Sequence, residues 1–419
     1  MASGNIIVAQ SGGPSVAINA SLAGVLAAAI NNDNYNTVYG SVYGIIGVLE
    51  DNLINLTEKA NEDSNFIDTL KISPAMYLGS CRYKLPDYED DDAPYTFIFK
   101  QFAKYNISAF FYIGGNDSMD TVLKLSHYGE KIGSDIRIIG IPKTIDNDLC
   151  VTDHTPGFGS AAKFVASSVL EIAHDTFIYS VPSVTIVEIM GRDAGWLTAS
   201  SVLARNEYSP APHLIYCPEV AFDKDTFIED VRKMLTKYSN VIVAVSEGIR
   251  DKDGNYISAS TAVNDQFGHS QLSGTGKCLE YLVKETLNIK VRSIELNVLQ
   301  RCAAHIASKT DIDEGFMLGE NAVSYAQKGL SKCMLTMTRT SNAPYTIEIG
   351  TIDIISIANK EKNIPREWIN EEGNDVTSAM TEYLAPLIEG ETSVTYKNGL
   401  PVYLPVGHLS SDPSDRKDY

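Results

Sequence analysis

The sequence predicts an α/β protein of two doubly wound, mainly parallel-sheet domains with the active site in the cleft between them. Three observations carry that expectation. The chain runs to 419 residues, more than one ordinary domain holds. Short apolar, β-branched runs recur along it, each nearly continuous, as parallel strands covered on both faces require. Each run is followed by a polar or glycine-rich segment, and in open parallel sheets ligands bind beyond the carboxyl ends of the strands.

Residues 5–10 (NIIVAQ) form the first run and read as a buried strand. Ser11-Gly12-Gly13-Pro14-Ser15 follows, then a helical segment over 16–30. Strand, glycine turn and helix make the front end of an α/β unit. A second strand, 109–113 (AFFYI), ends in Gly114-Gly115, with a helix expected from about Ser118. A third, 137–141 (RIIGI), ends in Pro142-Lys143. Residues 184–189 (VTIVEI) and 240–245 (NVIVAV) supply two more in the second half. No repeat of 20–50 residues interrupts this order. Residues 410–419 are polar and proline-containing and are expected to form a loose tail.

Composition narrows the function. Apolar residues make up 44% and charged residues 21%, enough for a sizeable core. The net charge of −19 disfavours nucleic acid as a partner, because a phosphate backbone wants a basic surface. Small phosphorylated substrates stay open, since a few cations focused in a cleft make a local positive field. No apolar stretch of about 18 residues predicts a membrane span, and the start, MASGNIIVAQSGG, does not read as a signal peptide. Cys81, Cys150, Cys217, Cys278, Cys302 and Cys333 lie far apart and read as reduced thiols of a cytoplasmic protein.

Gly12-Gly13 leaves bare backbone amides near a helix N-terminus, a geometry that suits an anion and equally a tight turn. It is not G-x-G-x-x-G. Ser273-Gly274-Thr275-Gly276-Lys277 fails the P-loop spacing and reads as a turn. The octapeptide Pro142-Lys143-Thr144-Ile145-Asp146-Asn147-Asp148-Leu149 is more specific. Its two carboxylates follow a buried strand, with a lysine just before them. That spacing lets one carboxylate take a proton from a hydroxyl while the other stays near a metal. For Asp146-Asn147-Asp148 alone, a helix-capping turn is the competing reading.

Six motifs occur in one order: Ser11-Gly12-Gly13, Gly79-Ser80-Cys81-Arg82, Gly114-Gly115-Asn116-Asp117-Ser118, the octapeptide, Met190-Gly191-Arg192 and Leu299-Gln300-Arg301. From Asn5 to about Thr310 the chain resembles the phosphofructokinase family. The resemblance implies the phosphofructokinase fold, with 1–157 and about 301–360 forming the donor-binding domain. Residues 158–300 and the C-terminal region then form the sugar-phosphate-binding domain. It implies Asp146 as the base that deprotonates the 1-hydroxyl of fructose 6-phosphate. Asn116 and Asp148 would hold Mg²⁺, with Thr144 beside the transferring phosphoryl. Gly13, Arg82, Asp117 and Lys143 would hold the donor. Thr144, Ile145, Met190, Gly191, Arg192, Glu247, Val298 and Arg301 would line the sugar-phosphate site. Arg292 matches an arginine that reaches a neighbouring subunit's active site, which implies a homo-oligomer. Arginine forks suit phosphate independently of any resemblance.

The family has ATP-dependent and pyrophosphate-dependent members. ATP users usually carry glycine where this chain has Asp117, and a small residue where it has Lys143. An aspartate beside the donor's distal phosphates takes the place of an α-phosphate and repels its charge, while a lysine rewards inorganic diphosphate. Ile45 stands where ATP users tend to place an aromatic residue. Diphosphate is therefore the expected donor. An ATP-dependent kinase and a non-catalytic sugar-phosphate-binding subunit are the alternatives. Three departures from the family are visible: Asn116 for a magnesium-binding aspartate, Val298 for a histidine or tyrosine, and Ser183 for a second bridging arginine. Glu219 matches one residue of an effector site, which by itself makes no such site.

Overall fold

The computed structural model describes residues 4–258, 274–357 and 361–406. Two sheets organise them. The first contains β1 (Gly4–Gln10), β2 (Tyr35–Ser41), β3 (Leu53–Asn55), β4 (Ile107–Gly114) and β5 (Arg137–Pro142). The second contains β6 (Ser183–Ile189), β7 (Leu214–Tyr216), β8 (Asn240–Ser246) and β9 (Lys290–Glu295). The chain then returns to the first sheet with β10 (Cys333–Asn342) and β11 (Tyr345–Asp353). The first sheet has the order β11-β10-β5-β4-β1-β2-β3, and the second β7-β8-β6-β9. Within these two sheets every pairing is parallel except the edge pairs β2–β3 and β10–β11.

The strands read from the sequence are the central ones. β4 is buried throughout except for Ser108, and β6 and β8 are buried along their whole length, so their hydrophobic runs carry no alternation. The edge strands escaped notice. β9 is half-exposed and reads KVRSIE, a mixture that carries no clear period.

The first sheet's strand order reverses between β1 and β4, which continue into Gly12-Gly13 and Gly115. That switch point opens a crevice at the carboxyl ends of both strands. The helix Ile18–Ile30 covers one face and packs against the helix Lys309–Gln327. Their approach is close. A Cβ on Gly24 would lie 2.0 Å from the Phe316 carbonyl, and one on Gly319 would lie 2.1 Å from that of Ser21. Glycine is required at both crossings. This pairing holds the returning chain against the first sheet, where β10 pairs with β5.

The C-terminal segment returns to the second sheet. Ile364, Ile369, Met380, Leu384 and Leu387 join Trp196, Val187 and the helix Phe158–Phe177 in one core. That helix has no cap of its own. Buried Asp311 supplies one, accepting from the amides of Gly157 (2.8 Å) and Ser160 (3.1 Å) and from the Ser160 hydroxyl. The Ser273–Lys277 turn is corrected in part. Gly274, with φ +84°, precedes the helix Thr275–Leu287, so this segment starts a helix, and Ser273 lies outside the described residues. The expected tail at 410–419 also lies outside them.

A buried polar cluster links the first sheet to the α/β loops. His154 sits between Asp153 (2.8 Å) and Glu314 (2.6 Å), and the Tyr345 hydroxyl donates to Glu314. Burial pushes the imidazolium down, but the Glu314 charge and the two hydrogen bonds outweigh it and hold the group at about 9. A histidine raised in the folded state stabilises fully below its ordinary value of 6.5, and that stabilisation is lost as pH rises through about 9. The contribution is on the order of 3 kcal/mol. Denaturant titrations of wild type at pH 6 and pH 9.5 should show this loss, and His154→Gln should flatten it. Equal pH dependence in both proteins would refute the assignment.

Candidate active site

The loops after five parallel strands converge on one cleft. From the first sheet come Gly12 and Gly13 after β1, Gly115–Ser118 after β4, and Lys143–Asp148 after β5. From the second come Met190–Ala194 after β6 and Glu247 after β8. Arg301, in the turn Asn297–Arg301 after β9, reaches across toward Gly13.

The cleft holds two connected chambers. The larger, about 650 Å³, is lined by Gly12, Gly13, Asn116, Asp117, Lys143, Asp148 and others. The smaller, about 210 Å³, is lined by Ile145, Met190, Glu247 and Arg301 among others. Lys143, Thr144, Asp146 and Arg192 line both. A further cavity of about 410 Å³ lies beyond Asp117, lined by Arg82, Tyr83, Lys84 and Thr121.

The glycine loop and Lys143 fit together. Lys143 is buried, and its ammonium donates to the Gly13 carbonyl at 2.6 Å. Gly12 has φ +82°, and a Cβ there would meet that ammonium at 3.3 Å. Burial lowers Lys143 to about 8, against the pull of Asp146 and Asp148. Burial likewise raises Asp146, opposed by Lys143 and Arg192. It also raises Asp148, and the Asp146 charge raises it further. Glu247 is pushed up to about 7, again chiefly by burial. The Thr144 hydroxyl accepts from the Asp146 amide (3.1 Å) and donates to its carboxylate (3.4 Å).

Asn116 and Asp148 form a pair at the floor of the larger chamber. Asn116 Nδ2 donates to Asp148 Oδ2 at 3.1 Å, while Asn116 Oδ1 and Asp148 Oδ1 are buried acceptors without a partner. Two orphaned oxygens of this kind suit a hard divalent cation that takes its other ligands from water and phosphate.

On the opposite wall the backbone interlocks. Gly191 N donates to Glu247 at 3.3 Å, the Ser246 hydroxyl donates to the Gly191 carbonyl, and Met190 N donates to Gln300. A Cβ on Gly248 would lie 1.9 Å from the Arg192 carbonyl oxygen.

Three expected residues stand apart. Val298 is 47% exposed and lines no chamber. Arg292 lies outside the cleft, with hydrogen bonds to Asp175, Thr176 and Thr185. Ile45 is wholly buried in the core and offers no surface to a ligand. The helix at this site starts at Asn116 rather than Ser118, which places Asp117 in its first turn. Glu219 accepts from the amides of Gly195 (2.8 Å) and Ile364 (3.1 Å), which makes it an internal tie between the second-sheet loops and the C-terminal segment. Among residues that the motifs did not reveal, Asp193, Ala194 and Glu361 also line the larger chamber. Glu361 belongs to a C-terminal segment that carried no recognisable signal.

A family model described as phosphofructokinase matches residues 5–326. The chain belongs to the phosphofructokinase family. It is 41% identical over 407 residues to a protein of Methylococcus capsulatus named pyrophosphate--fructose 6-phosphate 1-phosphotransferase, covering 96% of each. A protein of the same name from Halomonas elongata is 40% identical over 404 residues, again covering 96% of each. The crystal structure of a pyrophosphate-dependent phosphofructokinase from Marinobacter aquaeolei superposes with a TM-score of 0.86 at 35% identity, covering 99% of each chain. As a phosphofructokinase-fold chain, the protein keeps its cleft by close backbone approach. Gly248→Ala should therefore displace the Arg192 loop and cost about 1–3 kcal/mol of stability, read by denaturant titration. An unchanged midpoint with unchanged activity would show that the loop can yield.

Proposed function

We propose that the chain reversibly transfers a phosphoryl group from inorganic diphosphate to the 1-hydroxyl of D-fructose 6-phosphate, giving fructose 1,6-bisphosphate and phosphate. One observation carries this reading: Asp146 lines both chambers, so one carboxylate faces donor and acceptor alike. The relatives' names supply the substrates. The larger chamber with Gly13, Asp117 and Lys143 is the donor side, built mainly by the first-sheet domain, and Arg82 faces it from the adjoining 410 Å³ cavity. The smaller, with Met190, Arg192, Glu247 and Arg301, is the sugar-phosphate side, built largely by the second, and Gly191 braces it through its amide to Glu247.

The sugar hydroxyl oxygen attacks the distal phosphorus. A new P–O bond forms, the bond to the bridging oxygen breaks, and phosphate leaves. The hydroxyl proton goes to Asp146, whose basicity burial has raised. Lys143 stabilises charge on the departing phosphate, and Arg192 holds charge at the boundary of the chambers. Asn116 and Asp148 would hold Mg²⁺. When bound there, the ion would supply positive charge to the donor. Arg301 grips the 6-phosphate as a charge-assisted fork.

Asp117 explains the donor. It stands where the larger chamber meets the 410 Å³ cavity, the space that the remainder of a nucleotide would need. Its carboxylate opposes an α-phosphate there. A homo-oligomer accounts for Arg292, which lies outside its own chain's cleft. No helix among the described residues is long and apolar enough to cross a membrane, and a cytoplasmic location fits the free cysteines.

Turnover of fructose 6-phosphate should proceed with diphosphate and fail with ATP. Asp117→Gly should raise ATP use. Lys143→Gly should lower the diphosphate-dependent kcat about 10²–10³-fold with no gain for ATP. Wild type that uses ATP as fast as diphosphate would defeat the donor assignment. Asp146→Asn keeps the shape and removes the proton acceptor, so kcat should fall about 10²–10⁴-fold with little change in KM. Near-normal kcat would sink its role as base.

A further inference from the structure

The loop that carries Asp146 and Asp148 is held from behind by residues far along the chain. Asn147, between them, has a left-handed backbone with φ +56° and a fully buried side chain. It lines none of the three cavities. Its Nδ2 donates to the Tyr383 hydroxyl at 2.9 Å. Its Oδ1 accepts from the Lys362 ammonium at 3.2 Å. That ammonium donates also to the carbonyls of Thr152 (3.2 Å) and Asp153 (2.8 Å). Lys362 holds the loop by its backbone as well, since its amide donates to the Asp148 carbonyl at 2.7 Å.

The same residue touches the opposite wall. The Lys362 carbonyl accepts from Trp196 Nε1 at 2.9 Å, and its ammonium lies 5.2 Å from the Trp196 ring centroid. Trp196 begins the short helix that follows the Met190–Gly195 loop. Lys362 therefore joins the two loops between which the phosphoryl group must pass.

Geometry gives this contact a purpose. Asp146 lines both chambers, but Asp148 lines only the larger one. The left-handed residue between them turns the two carboxylates to these different tasks. Asparagine enters that conformation at lower cost than most residues, but a non-glycine residue stays there only when its surroundings hold it. The Lys362 ammonium and the Tyr383 hydroxyl are what hold the amide.

We propose that Lys362 is a positioning residue for phosphoryl transfer: by gripping the Asn147 amide, it fixes the turn that aims Asp146 at the sugar hydroxyl and Asp148 at the donor side. This rests on the roles given above to Asp146 and Asp148. Neither Lys362 nor Asn147 reaches the cavities, so both act on the chemical step and not on substrate affinity.

The test measures kcat, both substrate KM values and thermal midpoints for Lys362→Met, Lys362→Arg, Asn147→Ala and the Lys362→Met/Asn147→Ala double variant, with Asp146→Asn alongside. Lys362→Met should lose about 10–100-fold in kcat, as a misaimed reacting group does. Its KM values should stay within about threefold of wild type. Lys362→Arg, which keeps the cation and its donors, should recover most of the rate. The double variant should lose no more kcat than the worse single variant, because both substitutions cut one contact. A folded Lys362→Met with unchanged kcat overturns the proposal, as do losses that multiply in the double variant. If Lys362→Met does not fold, Asn147→Ala decides: a loss confined to kcat supports the proposal and unchanged kcat overturns it. Full activity in Asp146→Asn is a different failure, that of the site assignment itself.

Discussion

The constraint on which the rest depends is the concentration of charge at the carboxyl ends of two sheets. Asp146, Asp148 and Glu247 are raised by burial, while Lys143 is lowered by it. In such surroundings an ionised group persists only beside a partner of opposite sign. The carboxylates therefore depend on Lys143, Arg192 and Arg301, and Lys143 depends on them in turn. The overall charge of −19 makes this local arrangement more telling. Cations are outnumbered in the chain, 34 against 53 acidic residues, yet five of them, Arg82, Lys84, Lys143, Arg192 and Arg301, come to the walls of one cleft system.

Holding these charges in register is a task for the backbone. Parallel strands deliver every loop to the same edge, so a few residues after each strand suffice to build a wall. Fine placement then comes from contacts between loops. Ser246 and Glu247 fasten the Gly191 turn, and Gly248 lets the Arg192 backbone pass close by. On the facing wall, Thr144 braces Asp146 while Asn147 is fixed from behind. The C-terminal segment completes the arrangement. Glu219 ties it to Gly195, and Lys362 ties it to both walls.

Donor choice follows from the same economy of position. Diphosphate brings no nucleoside to bind, so the phosphate cradle has to supply the recognition. Lys143 lies against the glycine loop, its ammonium donating to the Gly13 carbonyl, and Asp117 stands at the boundary with the neighbouring cavity. On the function proposed above, one residue favours the small donor and the other opposes the large one.

The sequence by itself determined the central strands, the loops after them and the residues those loops carry. Each of these is a local signal: a continuous apolar run, a glycine pair, or a carboxylate pair beside a lysine. Only the tertiary structure decided which loops share a wall, that Asp146 faces both chambers, and that Val298 faces neither. It alone showed that Asp311 caps a helix begun about 150 residues earlier. Asn147 was visible inside a motif, but its reason for being asparagine was not, since its partners Lys362 and Tyr383 lie more than 200 residues away. Periodicity and spacing report what neighbours along the chain require. Contacts closed by long loops leave no such period, and the physics that selects them acts only once the sheets have formed.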